Sequence, residues 1–201
     1  YSPETLYPIA RSMGRDAIGW QNDKLAVGVD WWQAFEISWL NPQGISQVAI
    51  ARFSIPASSP FIVESKSLKL YLNSINFTEF ASWNDVQVLI AKDLSDCLQT
   101  DVQVALFGLN DDINGNETAL LIAQPEGVCI DEALAGNTDK VALTEHPDAS
   151  LLSASEEIAA SSESMVNEDT QPYTFYSNLL RSNCPVTNQP DWGTLAVSIT
   201  T

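Results

Sequence analysis

The spacing of apolar residues changes abruptly near residue 64, and that change limits the folds open to this chain. Before it, "WWQAFEISWLN" (31–41) and "VAIARFSIP" (48–56) are extended runs rich in aromatic and β-branched residues. The "PQGISQ" between them marks a turn, so the two runs read as a hairpin. Ala49, Ala51, Phe53 and Ile55 fall on one face of the second run, and Pro56 and Pro60 end it. After the change, "ESKSLKLYLNSINFTEF" (64–80) places Leu68, Tyr71, Leu72 and Ile75 at helical spacing, with Ser65 or Ser67 as the cap. A second helix is predicted over 84–98, with Val86, Ile90, Leu94 and Cys97 on its apolar side. "VQVALFGL" (102–109) then alternates as a strand. Strand, strand, helix, helix, strand is an α+β order.

Farther on, no Lys or Arg occurs between Lys140 and Arg181, and "SASEEIAASSESMVNEDTQ" is rich in Ser, Ala and acid. This reads as a connector, here bounded at 137–172, between a first module over 1–136 and a second beginning at 173. In 173–201, "YTFYSNLLRSN" is predicted as a short helix with Phe175, Leu179 and Tyr176 turned inward. "GTLAVSIT" is predicted as a strand. A second module built from these pieces is incomplete and buries no core of its own.

Composition narrows the function. With 26 acids against 9 bases the formal charge is −17, so no basic footprint for nucleic acid is visible. No apolar run reaches the roughly 20 residues of a membrane span. Tyr1 is not an initiator methionine, which points to a longer gene product, and the first residues lack a signal peptide's apolar stretch. The expected location is cytoplasmic. Three cysteines (Cys97, Cys129, Cys184) and one histidine (His146) give neither a disulfide framework nor a zinc set. "NDDINGNETALL" (110–121) has Leu121 where a calcium loop needs glutamate, so no metal is expected.

One segment carries chemistry: "SNCPVTNQPDWG" (182–193). Cys97 and Cys129 read as packing residues. Cys184 differs, because Ser182, Asn183 and Thr187 surround it with polar groups and Pro185 holds it extended. No histidine lies in the segment to serve as base, and Asp191 is the candidate for proton transfer. A carboxylate is a poor base for a thiol unless desolvated, which Pro190 and Trp192 are placed to do. Against activation, Cys184 is expected to follow a helix C-terminus, whose partial negative charge disfavours thiolate.

"ESKSLKLYLNS" (64–74) resembles the signature of the NADPH-dependent 7-cyano-7-deazaguanine reductases, the nitrile reductases of the queuosine pathway of tRNA modification. "SNCPVTNQPDWG" resembles that family's nucleophile segment in its longer, two-module form, and "ISWLNPQGISQVA" and "ARSMGRD" support the match. The resemblance implies a tunnelling fold of β-β-helix-helix-β-β modules, working as a homodimer. It implies reduction of a nitrile to an aminomethyl group through a thioimide on Cys184, with Asp191 moving protons and NADPH supplying hydride. By the same match Val63, Glu64 and Ser65 contact the deazaguanine, and Ser65 and Lys66 contact NADPH, with Lys69 adding positive charge. The partners implied are a small-molecule deazaguanine and a second copy, without nucleic acid or membrane. Longer members also carry a His-Glu pair and an Arg-Gly pair that have no counterpart here. The rival reading is a non-catalytic paralogue or fragment that binds a nucleobase or a partner chain.

Overall fold

The computed structural model describes residues 1–17, 19–20, 28–109, 125–134, 173–183 and 189–199. The connector at 137–172 and the polar loop at 110–121 lie outside the described residues. The chain forms two units, Tyr1–Glu117 and Thr118–Thr201. In order, the first contains β1 (Pro8–Ala10), α1 (Arg11–Ala17), β2 (Val29–Leu40), β3 (Ser46–Pro56), β4 (Phe61–Val63), α2 (Ser65–Ser74), α3 (Trp83–Leu98) and β5 (Gln103–Gly108). The second contains β6 (Val128–Cys129), β7 (Tyr173–Asn183) and β8 (Pro190–Ile199). This is a mixed α+β chain with predominantly antiparallel pairing.

In the first unit β2, β3 and β5 form an antiparallel sheet with β3 in the middle. The β2–β3 turn works because Asn41 Oδ1 accepts from the Gln43 and Ile45 amides, and Gly44 takes a positive φ of 73°. The inward face of β3 is the expected one: Ala49, Ala51, Phe53 and Ile55 are all buried. Leu68, Tyr71 and Ile75 from the α2 segment join them, with Val86, Ile90 and Leu94 from α3. Trp39 meets Trp83 edge to face, with centroids 5.0 Å apart, fixing the start of α3 against β2. The first predicted helix is shorter than its periodicity implied. α2 ends at Ser74, because the chain then turns and Leu40 exchanges hydrogen bonds with Thr78 and Phe80.

One acid is buried in this unit, along with Ser59 and Ser67. Asp93 is 8% exposed and accepts from the Tyr71 hydroxyl at 2.6 Å and the Tyr1 hydroxyl at 2.5 Å. A buried charge needs such partners to offset its desolvation. Burial, then the hydrogen bond to Asp93 and its charge, raise both phenols well above their ordinary pKa.

The second unit contrasts with the first. Here the prediction for 173–183 is corrected: the segment is strand β7, not a helix. β8 begins at Pro190, ahead of the predicted "GTLAVSIT", so Asp191 and Trp192 lie within it. β6 runs parallel to β7, so Val128 and Cys129, counted with the first module above, pair with Phe175 and Tyr176. A side chain at Gly127 would meet the Thr174 carbonyl oxygen at 2.2 Å, which accounts for the glycine. No described residue of this unit is buried, and Phe175 and Leu179, expected inside, are exposed. Among the described residues no helix is long and apolar enough to cross a membrane, and no three metal-ligating side chains converge.

Removing the Tyr71 hydroxyl (Tyr71→Phe) should lower stability by about 1.5–3 kcal/mol in urea or thermal unfolding, since it strips a partner from a buried carboxylate. Because both folded phenol pKa values are raised, their contribution is intact below the ordinary value of 10.0 and is lost as pH climbs above it. A spectrophotometric titration should show these two tyrosines ionising only as the protein unfolds; their ionisation in the folded protein near pH 10 would contradict the assignment.

Candidate functional site

Four of the residues singled out by sequence, Val63 to Lys66, form the elbow where β4 becomes α2. Val63 is buried and ends the β1–β4 pairing, opposite Pro8. Glu64 keeps an extended backbone and is the N-cap of α2, a role assigned above to Ser65 or Ser67. Its carboxylate accepts from the Lys66 amide at 2.9 Å and the Ser67 amide at 2.6 Å. Glutamate wins the position because its charge meets both free amides and the positive end of the helix. Ser65 and Lys66 are exposed just beyond it.

The elbow keeps polar groups available to further partners. Each carboxylate oxygen still has lone-pair capacity after capping the helix. Among the described residues neither Lys66 nor Lys69 joins an ion pair, although acids outnumber bases almost threefold. Ser65 and Lys69 also line a groove of about 930 Å³ between β2 and α2, bounded in part by Gln33, Phe35, Glu36 and Asn73. That volume suits a small ligand.

The other predicted site residues belong to the second unit. Asp191 is exposed on β8, in register with Ser182 of β7. Trp192 beside it is 61% exposed, so the flanking residues do not give Asp191 an apolar cover. Cys184 lies outside the described residues; the strand before it ends at Asn183. The helix C-terminus expected ahead of Cys184 is therefore absent, and the electrostatic objection to a thiolate there falls away with it.

Two contributors were not found by sequence reasoning. Ser67 was considered only as a cap, but its hydroxyl lies at the centre of the elbow's hydrogen bonds. Asp131 secures the irregularity in β7 between Ser177 and Leu180: Oδ1 accepts from the Ser177 hydroxyl at 2.6 Å and Oδ2 from the Asn178 amide at 3.0 Å. Thr194 on β8 donates to Asn178 from the other side. The Asp131 contact spans 46 residues, so no local pattern signals it. The Ser177 hydroxyl, the Asn178 amide and, less, the Cys129 thiol hold the Asp131 carboxyl below its usual pKa. Cys129, read above as a packing residue, thus also has a polar partner in Asp131.

Known proteins place the chain. Residues 1–106 match the family described as nitrile reductase, 7-cyano-7-deazaguanine-reductase N-terminal region. The chain is 73% identical over 200 residues to the NADPH-dependent 7-cyano-7-deazaguanine reductase of Psychrobacter cryohalolentis, covering 100% of this chain and 67% of that protein. It is 72% identical, with the same coverage, to the reductase of that name from Psychrobacter arcticus. It is 45% identical over 197 residues to the Acinetobacter baumannii reductase, covering 98% of this chain and 64% of that one. The chain belongs to the 7-cyano-7-deazaguanine nitrile reductase family, and it spans about two thirds of the length of these relatives.

Because its folded pKa is lowered, Asp131 contributes stability above the ordinary carboxyl value of 3.8 that is lost as pH falls through the folded value. Asp131→Ala should speed hydrogen exchange at Asn178 and its neighbours at neutral pH, measured by mass spectrometry of β7 peptides. Unchanged protection there would show that the bulge stands without this side chain.

Proposed function

We propose that the protein containing this chain reduces the nitrile of 7-cyano-7-deazaguanine to an aminomethyl group with NADPH, the activity named for its relatives. The observation that carries this is identity across the whole chain, 73% over 200 residues, spanning the elbow and the Cys184–Asp191 segment alike. The α+β order of the first unit supports a tunnelling fold. In that fold modules and subunits meet at the site, which makes a homodimer the expected assembly.

Glu64 is the recognition group. A guanine-like ring presents adjacent N–H donors, and a carboxylate is their complementary acceptor. Val63 and Ser65, on either side, complete the contact with the base. The chain's donors fit a phosphate-bearing cofactor: Ser65 offers a hydroxyl, and Lys66 and Lys69 offer charge that no acid among the described residues neutralises. Bound NADPH supplies hydride, two equivalents for each nitrile.

Cys184 is the nucleophile. A nitrile carbon is a weak electrophile, so addition requires thiolate at carbon and a proton at nitrogen in concert. Asp191 takes the thiol proton and delivers it to the nitrile nitrogen. The new C–S bond and one broken C–N π bond leave a thioimide on Cys184 with all electrons accounted for. Asp191 stands on an exposed strand, so the bound base itself excludes water from the carboxylate.

Incubating the full-length protein with 7-cyano-7-deazaguanine, without NADPH, should add the mass of one nitrile to the peptide carrying Cys184. Cys184→Ala should abolish the adduct, and Asp191→Asn should bind the base but form the adduct about 10²–10⁴ times more slowly. A wild-type protein that binds the base but stays unmodified and never oxidises NADPH would falsify the enzymatic reading in favour of a binding paralogue.

A further inference from the structure

We infer that Ser67 is the positioning residue that sets the recognition carboxylate, acting through Glu64 without touching the base. This rests on the function proposed above and adds a residue to the site. The strand pairing that should steady the elbow ends too early. β1 and β4 pair only from Pro8 to Ala10 against Phe61 to Val63, and proline at position 8 has no amide hydrogen to donate. The Ser67 hydroxyl supplies the continuation. The Glu64 amide donates to the Tyr7 carbonyl at 2.9 Å. The Tyr7 amide donates to Ser67 Oγ at 3.0 Å, and Ser67 Oγ donates to the Glu64 carbonyl at 2.7 Å. The three residues close a circuit in which both backbone polar groups of Tyr7 and of Glu64 are engaged.

The same residue reaches the Glu64 side chain by another route. The Ser67 amide donates to Glu64 Oε2 at 2.6 Å. Ser67 therefore holds Glu64 at its carbonyl and at its carboxylate, and it is 5% exposed, so water does not compete for these bonds. With the backbone locked, the carboxylate has one direction open to it while its remaining lone pairs stay free for N–H donors. Recognition by a preorganised carboxylate avoids ordering a three-torsion side chain when the base arrives. A serine at this position suits the circuit because its hydroxyl donates once and accepts twice. Alanine would take the Tyr7 amide's partner away and leave the Glu64 carbonyl with only the Leu68 amide, at 3.0 Å.

The test measures the equilibrium dissociation constant for 7-cyano-7-deazaguanine by calorimetry, in full-length protein carrying Cys184→Ala so that binding stays reversible. Ser67→Ala should weaken base binding about tenfold, leave NADPH affinity unchanged, and have no further effect once Glu64→Ala is present. Ser67→Thr, which keeps the hydroxyl, should recover most of the loss. If Ser67→Ala does not fold, Ser67→Cys, nearly the same shape with a much weaker hydrogen-bonding group, takes its place. Equal losses with and without Glu64, a parallel loss of NADPH affinity, or full affinity in a folded Ala or Cys variant would each overturn the inference. Should the Cys184→Ala protein with Ser67 and Glu64 intact not bind the base, the functional reading itself fails and takes this inference with it.

Discussion

A carboxylate holds the first unit at its sharpest corner. At Glu64 the chain leaves a three-residue strand and enters a helix within one residue, and the free amides at the helix start must be met there. Water could meet them, but then the direction of the elbow would be unspecified. The Glu64 side chain meets two of them, and the Ser67 hydroxyl ties the same corner to Tyr7. The side chain that stabilises this corner is thus the same one proposed to read the ligand. The helix start stays organised before any ligand is present.

The two units solve different problems. Among the described residues the first encloses every buried apolar side chain, and its one buried acid is met by two phenols. The second is a narrow sheet with no buried side chain among the described residues, held by backbone pairing and by Asp131 at the β7 irregularity. Its exposed side chains include Phe175, Leu179, Trp192 and Leu195. Chemistry placed on such a sheet is governed by what covers it, because an exposed carboxylate keeps the solvation of free acid until apolar surface displaces the water.

Legibility followed the regularity of each element. β3 was readable because four alternating residues face one core without interruption. α3 was readable because Val86, Ile90 and Leu94 repeat at helical spacing and Ser82 caps the helix in fact. β7 was misread for a specific reason. Phe175 and Leu179 are four apart, a spacing that also fits a helical face, and the register shift between Ser177 and Leu180 interrupts the strand's alternation. The end of α2 was overrun because Ile75 continues the apolar period into the turn, where it is buried although the helix has ended. The elbow residues could be located by their motif, but their hydrogen bonds could not, since Tyr7 and Ser67 are 60 residues apart.

The sequence by itself determined the α+β order of the first unit, the inward faces of β3 and α3, the absence of a basic footprint, and the motifs that resemble the nitrile reductases. These depend on spacing and side-chain type, which are local properties. The tertiary structure decided that Glu64 caps its own helix, that Ser67 closes a circuit with Tyr7, that Asp93 survives in a core between two tyrosines, and that the segment before Cys184 is a strand. Each of these depends on which distant backbone groups are left without partners. That is settled only when the chain has folded and every buried donor must find an acceptor.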